Sequence, residues 1–217
     1  DHHNITDRMA DCILINTTKP ESPYPFTGLS GCGVAFKTAQ VIQKKTGLPR
    51  SVLTEVLDLV AIGTIGDIMP LVDENRTMVK YGLKIINSGR RPGLRKLIEG
   101  AGLKVGTINS ENVGFVIVPH LNASGRIEDA SQAVKLLTAE EGDPCIDEIV
   151  SDLLEKNKER KRLQSEAYKS CISAIDGQNP DDFLLIESGD AHEGIAGIAC
   201  GKIKDTYYRP AAILTPT

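Results

Sequence analysis

The sequence predicts an α/β fold, and three observations predict it. Helical periodicity fills the first two thirds of the 217 residues. A long segment at 144–177 is apolar at both ends and charged between them. The stretch 180–217 reads strand, helix, strand. Hydrophobic residues make up 41% of the chain, enough to bury the core of one large domain or two small ones.

The elements follow from local signals. "ADCILINTTKP" reads as a β-strand and a loop. "GVAFKTAQVIQKKTG" places Val34, Ala35, Thr38, Val41 and Ile42 at helical spacing, with Gly47 set to end it. "RSVLTEVLDLVAIGTIGDIMPL" puts Leu53, Val56, Leu57, Val60 and Ala61 on one helical face, which gives way to a loop before Pro70. Asn75 is expected to cap "RTMVKYGLKIINSG", and Pro92 suits the first turn of "PGLRKLIEGAG". "SENVGFVIVPHLNASGR" predicts a short helix broken at Pro119, then a polar loop, and "DASQAVKLLT" a further short helix. From Pro144 to Gly177 one helix of roughly 50 Å is expected, with "EKNKERKRLQSE" as its charged middle. Such a helix is a spacer that joins two bodies. "FLLIE" from Phe183 and "RPAAILT" are strands flanking the helix in "HEGIAGIACGKIKDTY", so the two strands should be parallel.

Composition excludes several classes. No apolar run approaches the roughly 20 residues that span a bilayer. Cys12, Cys32, Cys145, Cys171 and Cys200 lie far apart with no CxxC pair, which argues against a zinc site or a disulfide frame and for a reducing, cytoplasmic setting. The net charge of -4 does not announce a nucleic-acid partner, which would need a local basic patch, and is compatible with divalent cations.

Four places carry chemistry. "DHH" sets Asp1, His2 and His3 side by side, standard ligand types for divalent metals; a tag remnant is the bland alternative. Asp67 lies in "GTIGDIMP" among apolar neighbours, where a metal would offset the penalty of a buried charge; otherwise it is a solvated loop carboxylate or a cap. Asp58 reads as a helix-face charge with a neighbouring partner. In "PHLNASGR", Asn122 and Arg126 are donors suited to a phosphate, or simply turn residues. "HEGIAGIACGK" brings His192, Gly194 and Gly197 to a helix entrance, either an anion site or close helix–strand packing. Lys156, Lys158, Arg160, Lys161 and Arg162 on the long helix read as a solvated face neutralised by Glu155, Glu159 and Glu166 on the same helix.

Taken in order, these pieces resemble the DHH phosphoesterases, and within them the RecJ-type exonucleases specific for single-stranded DNA. The matching stretches are "DHH", "PYPFTGLSGCGVAFKTAQ", "DLVAIGTIGDIMPLVDENRTMVKYGL", "RPGLRKLI", "PHLNASGRIEDA", "NKERKRLQSEA" and "HEGIAGIACGKIKDTYYRPAAIL". The resemblance implies that residues 1–140 are the C-terminal part of a DHH catalytic domain. It makes 144–177 a linker helix, and 180–217 the start of a second, DHH-associated α/β domain that binds substrate. It implies a site for two Mn2+ or Mg2+ ions, with His2 and Asp67 as ligands, Asp1 in support and His3 facing the scissile phosphate. Asn122, Arg126, His192, Gly194 and Gly197 match positions that grip the nucleic-acid backbone. The implied activity is 5'-to-3' hydrolysis of single-stranded DNA in repair and recombination. A monomer is expected, with a single-strand-binding protein or a helicase as partner. His120 departs from the family's arginine. The family's first two motifs do not occur among these residues, so a fragment that begins at the third motif, inactive by itself, is expected. An oligoribonuclease or cyclic-dinucleotide hydrolase of the same superfamily, or a non-catalytic nucleic-acid-binding member, is the alternative.

Overall fold

The computed structural model describes residues 1–5, 11–127, 129–175, 184–187 and 191–215. The described chain packs into two compact units: residues 1–118 with 139–143, and residues 119–138 with 144–217.

The first unit is helical. α1 (Gly31–Thr46) is capped by the Ser30 hydroxyl, which accepts from the Gly33 N–H at 3.1 Å. It stops at Gly47, whose φ of 73° suits glycine. The single helix expected over 51–66 is two, α2 (Ser51–Thr54) and α3 (Leu57–Gly66). The break has a tertiary cause. The Arg91 guanidinium donates to the Glu55 carbonyl at 3.0 Å, where an unbroken helix would use that carbonyl itself. α4 (Asp73–Asn87) packs on α3, and at Gly82 the approach is so close that a methyl group would overlap the Leu57 carbonyl. Asn75 does not cap α4. It lies buried in the first turn and donates through Nδ2 to the carbonyls of Gly28 (2.6 Å) and Pro70 (3.0 Å). α5 (Pro92–Gly100) begins on its proline as expected. α6 (Ser110–Asn112) leads into a π-helical turn, Val113–Ile117, that packs against α3. Leu29, Val34, Phe36, Val60 and Met78 form a core cluster, with Tyr24 and Phe26 against it.

Two expectations fail here. Residues 11–15 form no strand, because the described chain offers them no neighbouring ladder; Ile13 and Ile15 are exposed. Pro119 does not end a helix. α7 (Val118–Ile127) continues directly from the π-helical turn Val113–Ile117, so the helical run passes through Pro119 and 120–127 is helix and not a polar loop.

In the second unit α8 (Ser131–Thr138) packs on α9 (Ile146–Ile175), which has 30 residues and is about 45 Å long. Its expected end at Gly177 lies outside the described residues. The charged middle is largely self-paired: Lys156 with Asp152 at 2.9 Å, Lys158 with Glu155 at 3.6 Å, and Arg162 with Glu159 at 2.6 Å and Glu166 at 2.5 Å. The other end of α9 buries Cys171 and Ile175 with Leu184, Ile186 and Ile203. β1 (Leu184–Glu187) and β2 (Ala211–Leu214) are parallel, in register Leu184 with Ala211, and are joined by α10 (Glu193–Tyr207). This is the β-α-β unit expected from the sequence; Phe183, the expected strand start, is outside the described residues.

Candidate metal centre

Asp1, His2 and His3 share an irregular segment held by polar side chains downstream. The His3 carbonyl accepts from Asn16 Nδ2 at 2.9 Å and from the Thr18 hydroxyl at 3.1 Å. Asn16 also accepts from the Thr18 N–H at 2.8 Å, a local turn that orders both groups. Asp1 folds back on its neighbours. Its Oδ1 accepts from the His2 N–H at 2.7 Å and lies 2.7 Å from His3 Nδ1. The His2 and His3 rings lie side by side, with centroids 4.3 Å apart.

His2 is the enclosed member. Its ring lies over Gly31, the first residue of α1, with Nδ1 3.5 Å from the position where a side chain would begin. Nε2 faces Asp67 at the end of α3, 3.7 Å from Oδ2. The two helices that hold this pair are tied together: Ser30 Oγ lies 3.2 Å from Thr64 Oγ1, and Cys32 packs so closely on Gly63 that a methyl group there would overlap its sulfur. Burial, then the Asp67 carboxylate, pushes the Cys32 thiol up from its ordinary value.

The donor set fits a divalent cation. One ligand atom each from Asp1, His2 and His3 falls within 4.8 Å of the others. Two donors about 2.1 Å from one ion lie at most about 4.2 Å apart, so the 3.7 Å between His2 and Asp67 is a bridgeable gap. The other ring nitrogen, His2 Nδ1, is buried on the Gly31 side without a hydrogen-bond partner among the described residues, and it is Nε2 that is turned to Asp67. Asp58, by contrast, is removed from candidacy. It is 1% exposed and closed by Arg91, through Nε at 2.6 Å and Nη2 at 2.9 Å.

The remaining sequence candidates sit in the second unit. Asn122 and Arg126 lie one turn apart on the exposed face of α7. Arg126 Nη1 donates to the Gly194 carbonyl at 3.1 Å, and a methyl group at Gly194 would overlap the Arg126 carbonyl. The α10 entrance is largely satisfied internally. His192 is the N-cap and accepts from the Gly194 N–H through Nδ1 at 3.1 Å, while its carbonyl takes the N–H groups of Ile195 and Ala196. Gly197 has open space where a side chain would stand. His120 is buried in α7. Sequence reasoning passed over Asn16, Thr18 and Ser30, and gave Asn75 a different role. The run "INTT" and the serine before a glycine-rich helix start were the signals available for the first three.

The architecture is thus a helix-rich α/β fold with a short parallel sheet, carrying a histidine–aspartate cluster of divalent-cation type. No family model matches the chain. It is 38% identical over 216 residues to the single-stranded-DNA-specific exonuclease RecJ of Bacillus subtilis (strain 168), covering 99% of this chain and 27% of that protein. Among solved structures, RecJ from Thermus thermophilus in complex with Mn2+ superposes with a TM-score of 0.78 at 29% identity, over 90% of this chain and 28% of that one. The same protein in complex with Mg2+ gives 0.75 over 84% of this chain. In sequence and in fold, the chain is RecJ-type. It spans little more than a quarter of the length of these relatives.

Proposed function

We propose that this chain contributes His2 and Asp67 to the metal centre of a nuclease that hydrolyses single-stranded DNA from its end. One observation carries the reading: His2 Nε2 and Asp67 Oδ2, 65 residues apart in sequence, lie 3.7 Å apart beside Asp1 and His3. Divalent cations held in such a centre supply an activated water and stabilise charge on the attacking and leaving oxygens. The chain's own residues orient and position. Gly31 lets the His2 ring lie against the start of α1, Asp1 fixes the His3 imidazole at 2.7 Å, and His3 stands exposed where a phosphodiester oxygen can reach it. Asn122 and Arg126 are proposed to hold the strand's phosphates, with His192, Gly194 and Gly197 at the same unit's helix entrance. A cytoplasmic monomer working beside a single-strand-binding protein or helicase belongs to the same proposal. No helix among the described residues is long and apolar enough to cross a membrane.

The test is Mn2+ binding, read by electron paramagnetic resonance or calorimetry. Asp67→Asn and His2→Ala should each weaken Mn2+ binding at least about tenfold, since each removes one ligand. Unchanged affinity in both variants would overturn the assignment. In the protein that carries this sequence, Mn2+-dependent hydrolysis should extend to long single strands. Cleavage confined to dinucleotides or short oligomers would favour the oligoribonuclease or cyclic-dinucleotide reading.

A further inference from the structure

α3 ends in a Schellman turn. The Ile68 N–H donates to the Ile65 carbonyl at 3.0 Å, and the Met69 N–H reaches back to the Thr64 carbonyl at 3.1 Å. Ile68 is therefore the residue just past the cap, and its φ is 54°. Glycine or asparagine normally stands there, because a branched Cβ in the left-handed region crowds its own backbone. Glycine would make the same two hydrogen bonds without that strain. Nor does burial offset the strain, since Ile68 is 89% exposed.

The loop that carries it is fixed. Buried Asn75 clamps the Pro70 carbonyl at 3.0 Å and the Gly28 carbonyl at 2.6 Å. Leu71 and Val72 continue the exposed apolar edge. Ile68 directly follows Asp67, whose carboxylate faces His2.

We propose that Ile68 is a specificity residue of the candidate metal centre, whose side chain packs against the sugar and base of the nucleotide bound there. The proposal rests on the nuclease reading above. A phosphodiester seated at His2 and Asp67 brings a deoxyribose and a base with it, and both present apolar faces. An exposed aliphatic side chain on the residue next to Asp67 would make van der Waals contact with any of the four bases, so it would add affinity without reading sequence. It also selects for a single strand, because bases stacked in a duplex have no free face to offer. The strain at Ile68 is then offset in the bound state.

The experiment uses Ile68→Gly and Ile68→Ala in the protein that carries this chain. It measures thermal stability, Mn2+ affinity and binding of a single-stranded oligonucleotide by fluorescence anisotropy. Ile68→Gly should raise Tm by about 2–4 °C as the strain is relieved. Both variants should bind Mn2+ like the parent and the oligonucleotide roughly tenfold more weakly. Oligonucleotide affinity equal to the parent's overturns the proposal. So does a fall in Tm for Ile68→Ala with strand binding intact, which would assign the side chain to a protein contact. Failure of the nuclease reading looks different: the parent itself then fails to bind Mn2+, whatever stands at position 68.

Discussion

The two ends of α3 carry two aspartates that behave in opposite ways. Asp58 opens the helix, is 1% exposed, and has both carboxylate oxygens taken by Arg91. Asp67 closes the helix, its side chain is 44% exposed, and it faces an imidazole across 3.7 Å. Burial alone would have marked Asp58 as the special residue. Its charge is complete, however: a planar guanidinium fork answers it, and that arrangement serves only the fold. Among the described residues no guanidinium or ammonium group answers Asp67; what faces it is His2 Nε2, whose lone pair is a metal-ligand donor. Open valences at a shared point are what a cation needs.

Substitution at the two ends separates closure from openness. Asp58→Ala leaves the Arg91 guanidinium facing a buried hole and should destabilise the fold by about 3–5 kcal/mol. Asp67→Asn, without added metal, should change stability by about 0.5 kcal/mol or less, since no intramolecular partner of comparable strength is lost. Urea unfolding of both variants without metal is the measurement. Equal losses at the two positions would break the distinction, because Asp67 would then be as structural as Asp58.

The second unit poses the same question at a helix entrance. Gly194 spends its N–H on His192 and its carbonyl on Arg126, and its Cα faces the Arg126 carbonyl with no room for a methyl group. By the standard of Asp58 this site is closed. Gly194→Ala should therefore cost about 1–3 kcal/mol of stability by overpacking. Gly197→Ala, with open space at the Cβ position, should cost nothing measurable and fits an α-helix better. Differential scanning calorimetry of the pair checks this. A Gly194→Ala protein with parental stability and weakened single-strand binding would remove the packing role and leave that glycine only its proposed part in holding the strand.

The sequence carried the helices with clear punctuation and the parallel β-α-β unit, because Gly47, Pro92 and the two apolar strands are local signals. The break between α2 and α3 was not legible, since it depends on Arg91, a residue remote in sequence, taking the Glu55 carbonyl. Pro119 misled because proline usually ends a helix, whereas here it follows a π-helical turn through which the helix runs on, and residue types do not announce that turn. At the site, "DHH" and Asp67 were legible as residue types. Their convergence was not, because no periodicity links position 2 to position 67. It enters the reading only through resemblance and then through the geometry. The supporting groups, Asn16 and Thr18 on the His3 carbonyl and Asn75 on the loop after Asp67, act through backbone contacts that residue types alone do not announce.

A third carboxylate sharpens the comparison with the smallest effect. Glu74, at the start of α4, is closed like Asp58 but only half-buried. Lys37 Nζ donates to Oε1 at 2.6 Å and the Tyr24 hydroxyl to Oε2 at 2.5 Å. Burial pushes the Glu74 carboxyl up, but the Lys37 and Tyr24 hydrogen bonds together outweigh it, so its pKa is held below its ordinary 4.5. Burial, then the same carboxylate, pushes the Tyr24 hydroxyl well above its usual 10.0. The signs then follow from linkage. A depressed carboxyl contributes stability that is full above about pH 4.5 and fades as pH falls toward the folded value. A raised phenol contributes fully below pH 10.0 and loses its contribution only above it. Glu74→Gln keeps an acceptor for Tyr24 and removes the charge. It should lower stability by about 0.5–1 kcal/mol between pH 6 and 8, less at high salt, because the pair is partly exposed. The deficit should shrink below pH 4.5 as the parent's carboxyl gains its proton. If burial and not closure sets the scale, Glu74 will fall far short of Asp58 despite its two donors. A deficit as large as that of Asp58→Ala, or one constant from pH 3 to 7, would mean that the number of partners, and not the medium around them, governs what a closed carboxylate contributes.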